Sequence, residues 1–471
     1  MNKYISKEIL EGLDGIVAEL MELFDVPGFS VAVCKENDII LKRSYGYRNV
    51  ETKEPITNKT LIGIGSATKT FTALAIMTLA AEGSIKLDDP ISKYTDFKLG
   101  DKTKEITIHH LLSHSSGVPA LLGSYIAITM ALGTQFTNIQ INKWDEWKEH
   151  LRNAEQEFCF PPGKKWIYFN DGYAILQKII EKVSKLRYDE FIQQNILNPL
   201  EMEKSTFNKE NFLANSDIMT GYLDKVPKSH PFAELIYGAG GLISNTMEVL
   251  NFMQIFMNEG KFKEQQIFPP DLIKKMTEIH IKTKIIESMT DEPVIEGYGY
   301  GFFIVENFCD SKLIFHSGNT SVSTSNMLCI PNKKLAISTV SNSGTGEPLT
   351  FLIPFILSAM LIGQNLEEVI FPDKIEMKYA SLIGEYESYR AMLKGKIVRK
   401  EGMLYFQPNE STQYVLPFKS KPLIPYDEKL KELRFYTFDI PVEKTNIEFF
   451  KDERGNVDKM LWDRYLFHKK G

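Results

Sequence analysis

The strand-forming segments of this 471-residue chain fall into two groups far apart in sequence. SVAVCK and IILKRSYGY flank the polar stretch Glu36-Asn37-Asp38 and read as an antiparallel hairpin. KLIFHSG, NMLCIP and KLAISTVSN follow one another as short strands only after residue 310, and residues 106–310 between the groups mix helices and loops. A helix before the hairpin and an apolar helix over 349–362 after the last strand complete the pattern. One sheet assembled from both ends of a domain, covered by its helices, satisfies this layout, and the fold class it predicts is α+β.

The chain is too long for one ordinary core. From Ile383 onward its character changes to repeated short strands: KIVRK, MLYFQP, TQYVLPF, RFYTFDIP, NIEFFKD and KMLWDRYLFHK. Turn signals recur among them every ten residues or so, which reads as a small antiparallel barrel. Two domains are expected, 1–372 and 373–471. A net charge of −6 with both signs interspersed argues against a nucleic-acid partner. Ile9, Leu10, Leu13, Ile16, Val17 and Leu20 recur at helical spacing, so the first segment reads as an amphipathic helix and not a secretory signal. The apolar stretches Val118–Gly133 and Leu349–Ile362 fall short of a membrane span, and no membrane partner is expected. Cys34, Cys159, Cys309 and Cys329 lack paired or metal-like spacing; buried free thiols in a reducing cytoplasm are expected, with no metal and no cofactor.

The chemistry concentrates at Ser66-Ala67-Thr68-Lys69, where the strand-like run LIGIG meets the apolar helix SATKTFTALAIMTLAAEG. Positions i and i+3 share a helix face, so the Ser66 hydroxyl and the Lys69 amine become neighbours. The helix N-terminus and burial both favour a neutral amine, and an amine in that state activates a serine without a histidine. By itself the pattern is common, and its bland reading is a helix cap with a solvated lysine.

Further blocks join it: GSIKLDDPISKY, ITIHHLLSHSSGVP and FPPGKKWIYFNDGYAILQKIIE. Tyr168-Phe169-Asn170 begins 102 residues after Ser66, and His316-Ser317-Gly318 begins 148 residues after Tyr168, on the strand-like KLIFHSG. Over about residues 15–365 this resembles the serine β-lactamase and penicillin-binding-protein-like family of class C type, with its Ser-x-x-Lys, Tyr-x-Asn and Lys/His-x-Gly motifs. The resemblance implies a β-lactamase-like mixed sheet flanked by helices, with a helical subdomain. It implies Ser66 as nucleophile, with Lys69 and Tyr168 as a coupled acid–base pair in which Tyr168 has a lowered pKa and the resting base is left open. Asn170 would bind the substrate amide and orient Lys69, and the amides of Ser66 and Asn319 would hold the oxyanion. His316, standing where many members have lysine, would be a pH-dependent carboxylate anchor on the strand with Gly318. Ser321-Val322 replaces a Pro-Gly pair found in many relatives, so the turn there is expected to differ. His109, His110 and His114, Asp88-Asp89-Pro90 and the Gly240-Gly241 turn are read as structural.

The C-terminal region resembles the lipocalin-like barrel of some prokaryotic members. That resemblance implies peptides containing D-amino acids as substrates and a homo-oligomer formed through the barrel. The expected activity is hydrolysis of amide or peptide bonds in a small molecule or short peptide through an acyl-Ser66 intermediate. The alternatives are a carboxylesterase or β-lactamase of the same fold, or a non-catalytic scaffold.

Overall fold

The computed structural model describes residues 4–101, 104–135, 137–152, 154, 157–283, 296–363, 378–400, 402–410, 412–414, 419–427, 430, 432–440 and 443–470. The chain divides into two compact units, 1–369 and 370–471. The domain boundary expected at 372/373 lies outside the described residues.

The first unit is built on a nine-stranded sheet. Its strands are β1 (Gly28–Lys35), β2 (Asp38–Asn49), β3 (Glu54–Pro55), β4 (Ile281–Lys282), β5 (Glu296–Tyr298), β6 (Phe303–Phe308), β7 (Ser311–Asn319), β8 (Thr324–Ile330) and β9 (Leu335–Ser341). The order across the sheet is β4-β5-β6-β7-β8-β9-β1-β2-β3. The two strand groups meet at the antiparallel β9/β1 pair, in register from Phe29 opposite Ser341 to Lys35 opposite Leu335. The hairpin turn is tighter than expected, because Asp38 already belongs to β2. Glu36 and Asn37 alone turn the chain, at φ 52° and 70°, the double positive φ that matches strand twist in a two-residue hairpin.

Helices α1 (Lys7–Leu23), α2 (Thr68–Ala81), α3 (Gly123–Leu132), α4 (Asn170–Ser184), α5 (Thr246–Met257) and α6 (Glu347–Leu361) each contribute buried apolar side chains to the core. Neighbouring strand residues point to opposite faces, and β7 shows the result. Ile314 joins the cluster that holds Val249, Leu250 and Phe252 of α5, whereas the Phe315 ring packs on Phe351 and Phe355 of α6. Covered on both faces, β1 is buried from Gly28 to Cys34, which is why it reads as a continuous apolar run. Helix α2 is likewise buried around most of its circumference, Lys69 included. With the 3-10 turn at Gly344 included, the α6 segment is 18 residues and apolar enough to cross a membrane by length and composition, longer than expected; 61% of it is buried inside the protein, and α6 packs on β8 and β9. Cys34 and Cys329 are buried free thiols, but Cys159 is exposed, contrary to expectation.

The second unit is a closed barrel of β10 (Gly384–Ser388), β11 (Lys394–Lys400), β12 (Met403–Pro408), β13 (Lys421–Pro425), β14 (Arg434–Ile440), β15 (Glu443–Lys451), β16 (Val457–Trp462) and β17 (Tyr465–Lys469). Each strand pairs with the next, and β10 pairs with β17 to close the circle. Tyr386, Ile397, Phe406, Phe435, Phe449, Trp462 and Phe467 pack into the barrel core, whose eight strands set a width that side chains can fill. KMLWDRYLFHK is two strands, divided at Asp463-Arg464 with Asp463 at φ 54°. Thr412–Tyr414 forms a 3-10 turn where TQYVLPF reads as a strand, and 415–418 lie outside the described residues. GEYES and KPLIP, not expected as strands, each bury one large side chain, Tyr386 and Leu423, too few to show alternation.

Candidate active site

Ile62–Gly63 pairs with Ile243–Ser244, Gly65–Ala67 forms a 3-10 turn, and α2 begins at Thr68. This chain path sets Ser66 and Lys69 three residues apart on one helical face. Lys69 Nζ stands 3.0 Å from Ser66 Oγ and donates to the Ala239 carbonyl oxygen at 2.5 Å. Lys69 is fully buried, and burial lowers its pKa well below the usual amine value, with the charge of Asp171 acting in the opposite sense.

Tyr168 precedes α4 by two residues, and its ring centroid lies 5.0 Å from Lys69 Nζ. Its phenol pKa is raised, not lowered as expected. Burial raises it most, the Ser66 hydroxyl lowers it through a hydrogen bond, and the Glu347 carboxylate raises it further. The same desolvation pushes the two groups in opposite directions, favouring the free amine of Lys69 and the protonated phenol of Tyr168.

Strand β7 approaches Ser66 at two glycines, Gly318 on the strand and Gly65 beside the serine. A Cβ on Gly318 would stand 1.9 Å from the Ile64 carbonyl oxygen and 2.8 Å from the Ser66 amide nitrogen; one on Gly65, at φ +53°, would stand 2.6 Å from the Asn319 amide nitrogen. Only hydrogen at these positions lets the two amides come together across one narrow gap. The turn that follows uses the Asn319 side chain. Asn319 Oδ1 accepts the Ser321 N–H at 2.7 Å with Ser321 at φ 71°, and Asn319 Nδ2 donates to Glu347 Oε2 at 2.8 Å. Beside the gap opens a cavity of about 470 Å³, whose lining includes Ser66, Tyr125, Asn170, Asp224, His230 and Asn319.

Residues 13–360 match the family model described as Beta-lactamase. The chain belongs to the beta-lactamase family. Residues 367–468 of this family member match a second model, the Pab87 octamerisation domain. Over its full length the chain is similar to the octameric penicillin-binding protein homologue from Pyrococcus abyssi, with TM-score 0.85 and 32% identity, covering 98% of this chain and all of the other. Protein flp of Staphylococcus aureus (strain MW2) is 27% identical over 345 residues, 72% of this chain. Penicillin-binding protein 4* of Bacillus subtilis (strain 168) is 25% identical over 312 residues, 61% of this chain. These matches span 64% and 62% of the length of those two relatives.

Within this beta-lactamase-family site, Ser66, Asn170 and Asn319 line the cavity. Lys69 and Tyr168 stand behind Ser66, and Gly318 serves as the close-approach position. Among the described residues Asn170 makes no hydrogen bond to Lys69; the Ala239 carbonyl fixes that amine instead. His316 departs most from expectation. It is 1% exposed, its Nδ1 donates to the Ser317 carbonyl at 2.6 Å, and its Nε2 lies 3.1 Å from the Tyr298 hydroxyl. Burial, and secondarily the charge of Lys69, brings its pKa down to about 3. A neutral imidazole with both nitrogens engaged and no place on the cavity wall is not a pH-dependent carboxylate anchor.

Three contributors escape a reading of the sequence. Gly240-Gly241 closes the single helical turn Tyr237–Gly240, without positive φ, and its neighbour Ala239 supplies the carbonyl for Lys69. Asp171 accepts the Ser124 N–H at 3.0 Å, tying the start of α3 to α4; burial pushes its pKa up to about 6. Of the three histidines read as structural, His109 bonds the Tyr300 hydroxyl and His110 caps Thr107. His114 instead grips the segment around Tyr168, its Nδ1 accepting the Phe169 N–H at 3.1 Å and its carbonyl the Ile167 N–H at 2.8 Å.

Proposed function

We propose that this chain is a serine hydrolase that cleaves amide or peptide bonds, including those of D-amino-acid-containing peptides, through an acyl-Ser66 intermediate. The observation that carries the reading is the 3.0 Å approach of a fully buried Lys69 amine, its pKa lowered by that burial, to the Ser66 hydroxyl. Ser66 Oγ gives its proton to Lys69 Nζ and attacks the substrate carbonyl. The Ser66 and Asn319 amides hold the developing oxyanion. The tetrahedral adduct collapses, breaking the C–N bond, and the leaving amine takes a proton from the Tyr168 phenol, which Lys69 replenishes. Water then attacks the acyl-enzyme, with the same groups moving protons in reverse. Asn170, on the cavity wall, binds the substrate amide.

The test is turnover of matched D- and L-aminoacyl peptides, p-nitrophenyl esters and a chromogenic cephalosporin by wild type, Ser66→Ala and Lys69→Ala. D-peptide turnover lost in both variants supports the reading. Ester-only or cephalosporin-only turnover moves it to an esterase or a lactamase. No turnover, with Ser66 unmodified by a fluorophosphonate, removes it.

The match to an octamerisation domain and the octameric Pyrococcus abyssi homologue support a homo-oligomer formed through the C-terminal unit. Light scattering should then return a multiple of the 53.9 kDa chain mass, eight for an octamer.

A further inference from the structure

The formal charge on the described cavity wall is negative. Among the described lining residues Asp224 alone carries a formal charge, since burial holds the only titratable base there, His230, at a pKa of about 3. Asp224 is exposed and, among the described residues, has no ion-pair partner; the adjacent Lys225 reaches away to Asp25 at 2.8 Å. A second carboxylate stands one hydrogen bond behind the wall, where Glu347 Oε2 accepts from Asn319 Nδ2. Its field reaches Tyr168. Among the described lining residues there is no lysine or arginine to offset them. Lys69 and His316 are buried off the cavity wall, the amine engaged by Ser66 and the Ala239 carbonyl and the imidazole nitrogens by Ser317 and Tyr298.

A carboxylate entering this cavity would give up water without gaining a partner and would meet like charge at the mouth. An ammonium would meet opposite charge. The volume, about 470 Å³, is that of a pocket for one or two residues of a peptide.

We propose that the cavity selects substrates bearing a free ammonium near the scissile amide over those bearing a carboxylate, with Asp224 as the specificity-determining residue, so that the enzyme works from the amino end of short peptides or on amino acid amides. This rests on the serine hydrolase reading and names the substrate class for the same site. Asp224 acts at the rim on binding and takes no part in bond breaking.

Three anilides that share one scissile bond separate charge from everything else: alanine p-nitroanilide, its N-acetyl form and its N-succinyl form, each in the D and the L series. Exposed charge pairs are worth a few-fold each, so attraction of the ammonium and repulsion of the carboxylate together give about a tenfold ratio in kcat/KM between the free-amine and N-succinyl substrates. That ratio should fall about threefold in Asp224→Asn, reverse in Asp224→Lys, and shrink as salt is raised. A wild-type ratio at or below one, or a ratio unmoved by both substitutions, overturns the inference. If Ser66 still reacts with a fluorophosphonate in that case, the hydrolase reading stands without it. If neither turnover nor labelling occurs, both fall together.

Discussion

The His114 ring lies 4.3 Å, centroid to centroid, from the ring of Tyr168 and is tilted 38° to it. His114 also holds the backbone on both sides of that tyrosine, through the N–H groups of Ile167 and Phe169. The imidazole takes the Phe169 N–H at Nδ1 and is buried with its pKa well below the ordinary histidine value, burial being the main cause. It positions Tyr168 as a neutral ring.

If Tyr168 acts as the proposed proton donor, His114→Ala should lower kcat on the order of tenfold with little change in KM, because the phenol is misplaced while the cavity wall is intact. His114→Asn, whose side-chain oxygen can take the Phe169 N–H and whose backbone tolerates the φ of 54° seen here, should recover most of the loss. Equal defects in the two variants, accompanied by equal losses in thermal stability, would mean that the histidine only fills space.

Gly318→Ala places a methyl group where the Ile64 carbonyl and the Ser66 amide already stand. The strand must withdraw from the nucleophile turn, and the two-amide gap opens. Loss of an oxyanion donor costs roughly a hundredfold in kcat, and a decrease of that order is expected while the barrel and the bulk of the sheet remain folded by circular dichroism. Activity within threefold of wild type would show that Asn319 is not an oxyanion donor.

The opposite pKa shifts of Lys69 and Tyr168 have a pH signature. Lys69 has a pKa lowered from the amine value, so the active, neutral form is populated above that lowered pKa and lost as pH falls through it. The Tyr168 phenol pKa is raised, so it stays protonated through neutral and mildly alkaline pH. The profile of kcat/KM should rise to a plateau that extends to about pH 10, the ordinary tyrosine value. With its pKa at about 3, His316 should add no inflection between pH 5 and 8. A descending limb near neutrality would contradict this assignment.

Asp171 makes a separate prediction for stability. Its pKa rises from 3.8 to about 6 on burial, so the unfolded chain releases this proton first as pH increases. The folded state is therefore favoured below pH 4 and loses that advantage between about pH 4 and 6. Asp171→Asn keeps an acceptor for the Ser124 N–H and cannot ionise. Relative to wild type it should gain stability across that window, by up to about 3 kcal/mol above pH 6. Urea titrations of both proteins at pH 4 and 7 check the difference, and an equal offset at the two pH values would contradict it.

Much of this site is written locally. The spacing of Ser66 and Lys69 on one helix, the glycine between β-strand and helix, and the hairpin at Glu36-Asn37 each depend on residues within a few positions of one another, so a linear reading finds them. Apolar periodicity likewise marks α1 and most barrel strands. GEYES and KPLIP escaped because one inward side chain per strand leaves no pattern to see.

What the chain order by itself determined is therefore the fold class, the C-terminal barrel and the pairing of Ser66 with Lys69. Tertiary structure decided the direction of the pKa shifts and the partners. His316 looks like a titrating anchor until β5 and β6 enclose it; Tyr168 looks like a base until the packing around it removes water. Ala239 comes from 170 residues beyond Lys69 to hold its amine, and Asn319 comes from the far strand group to meet Ser66. Desolvation and long-range backbone approach depend on what surrounds a group in space, and a residue's neighbours in sequence do not specify that.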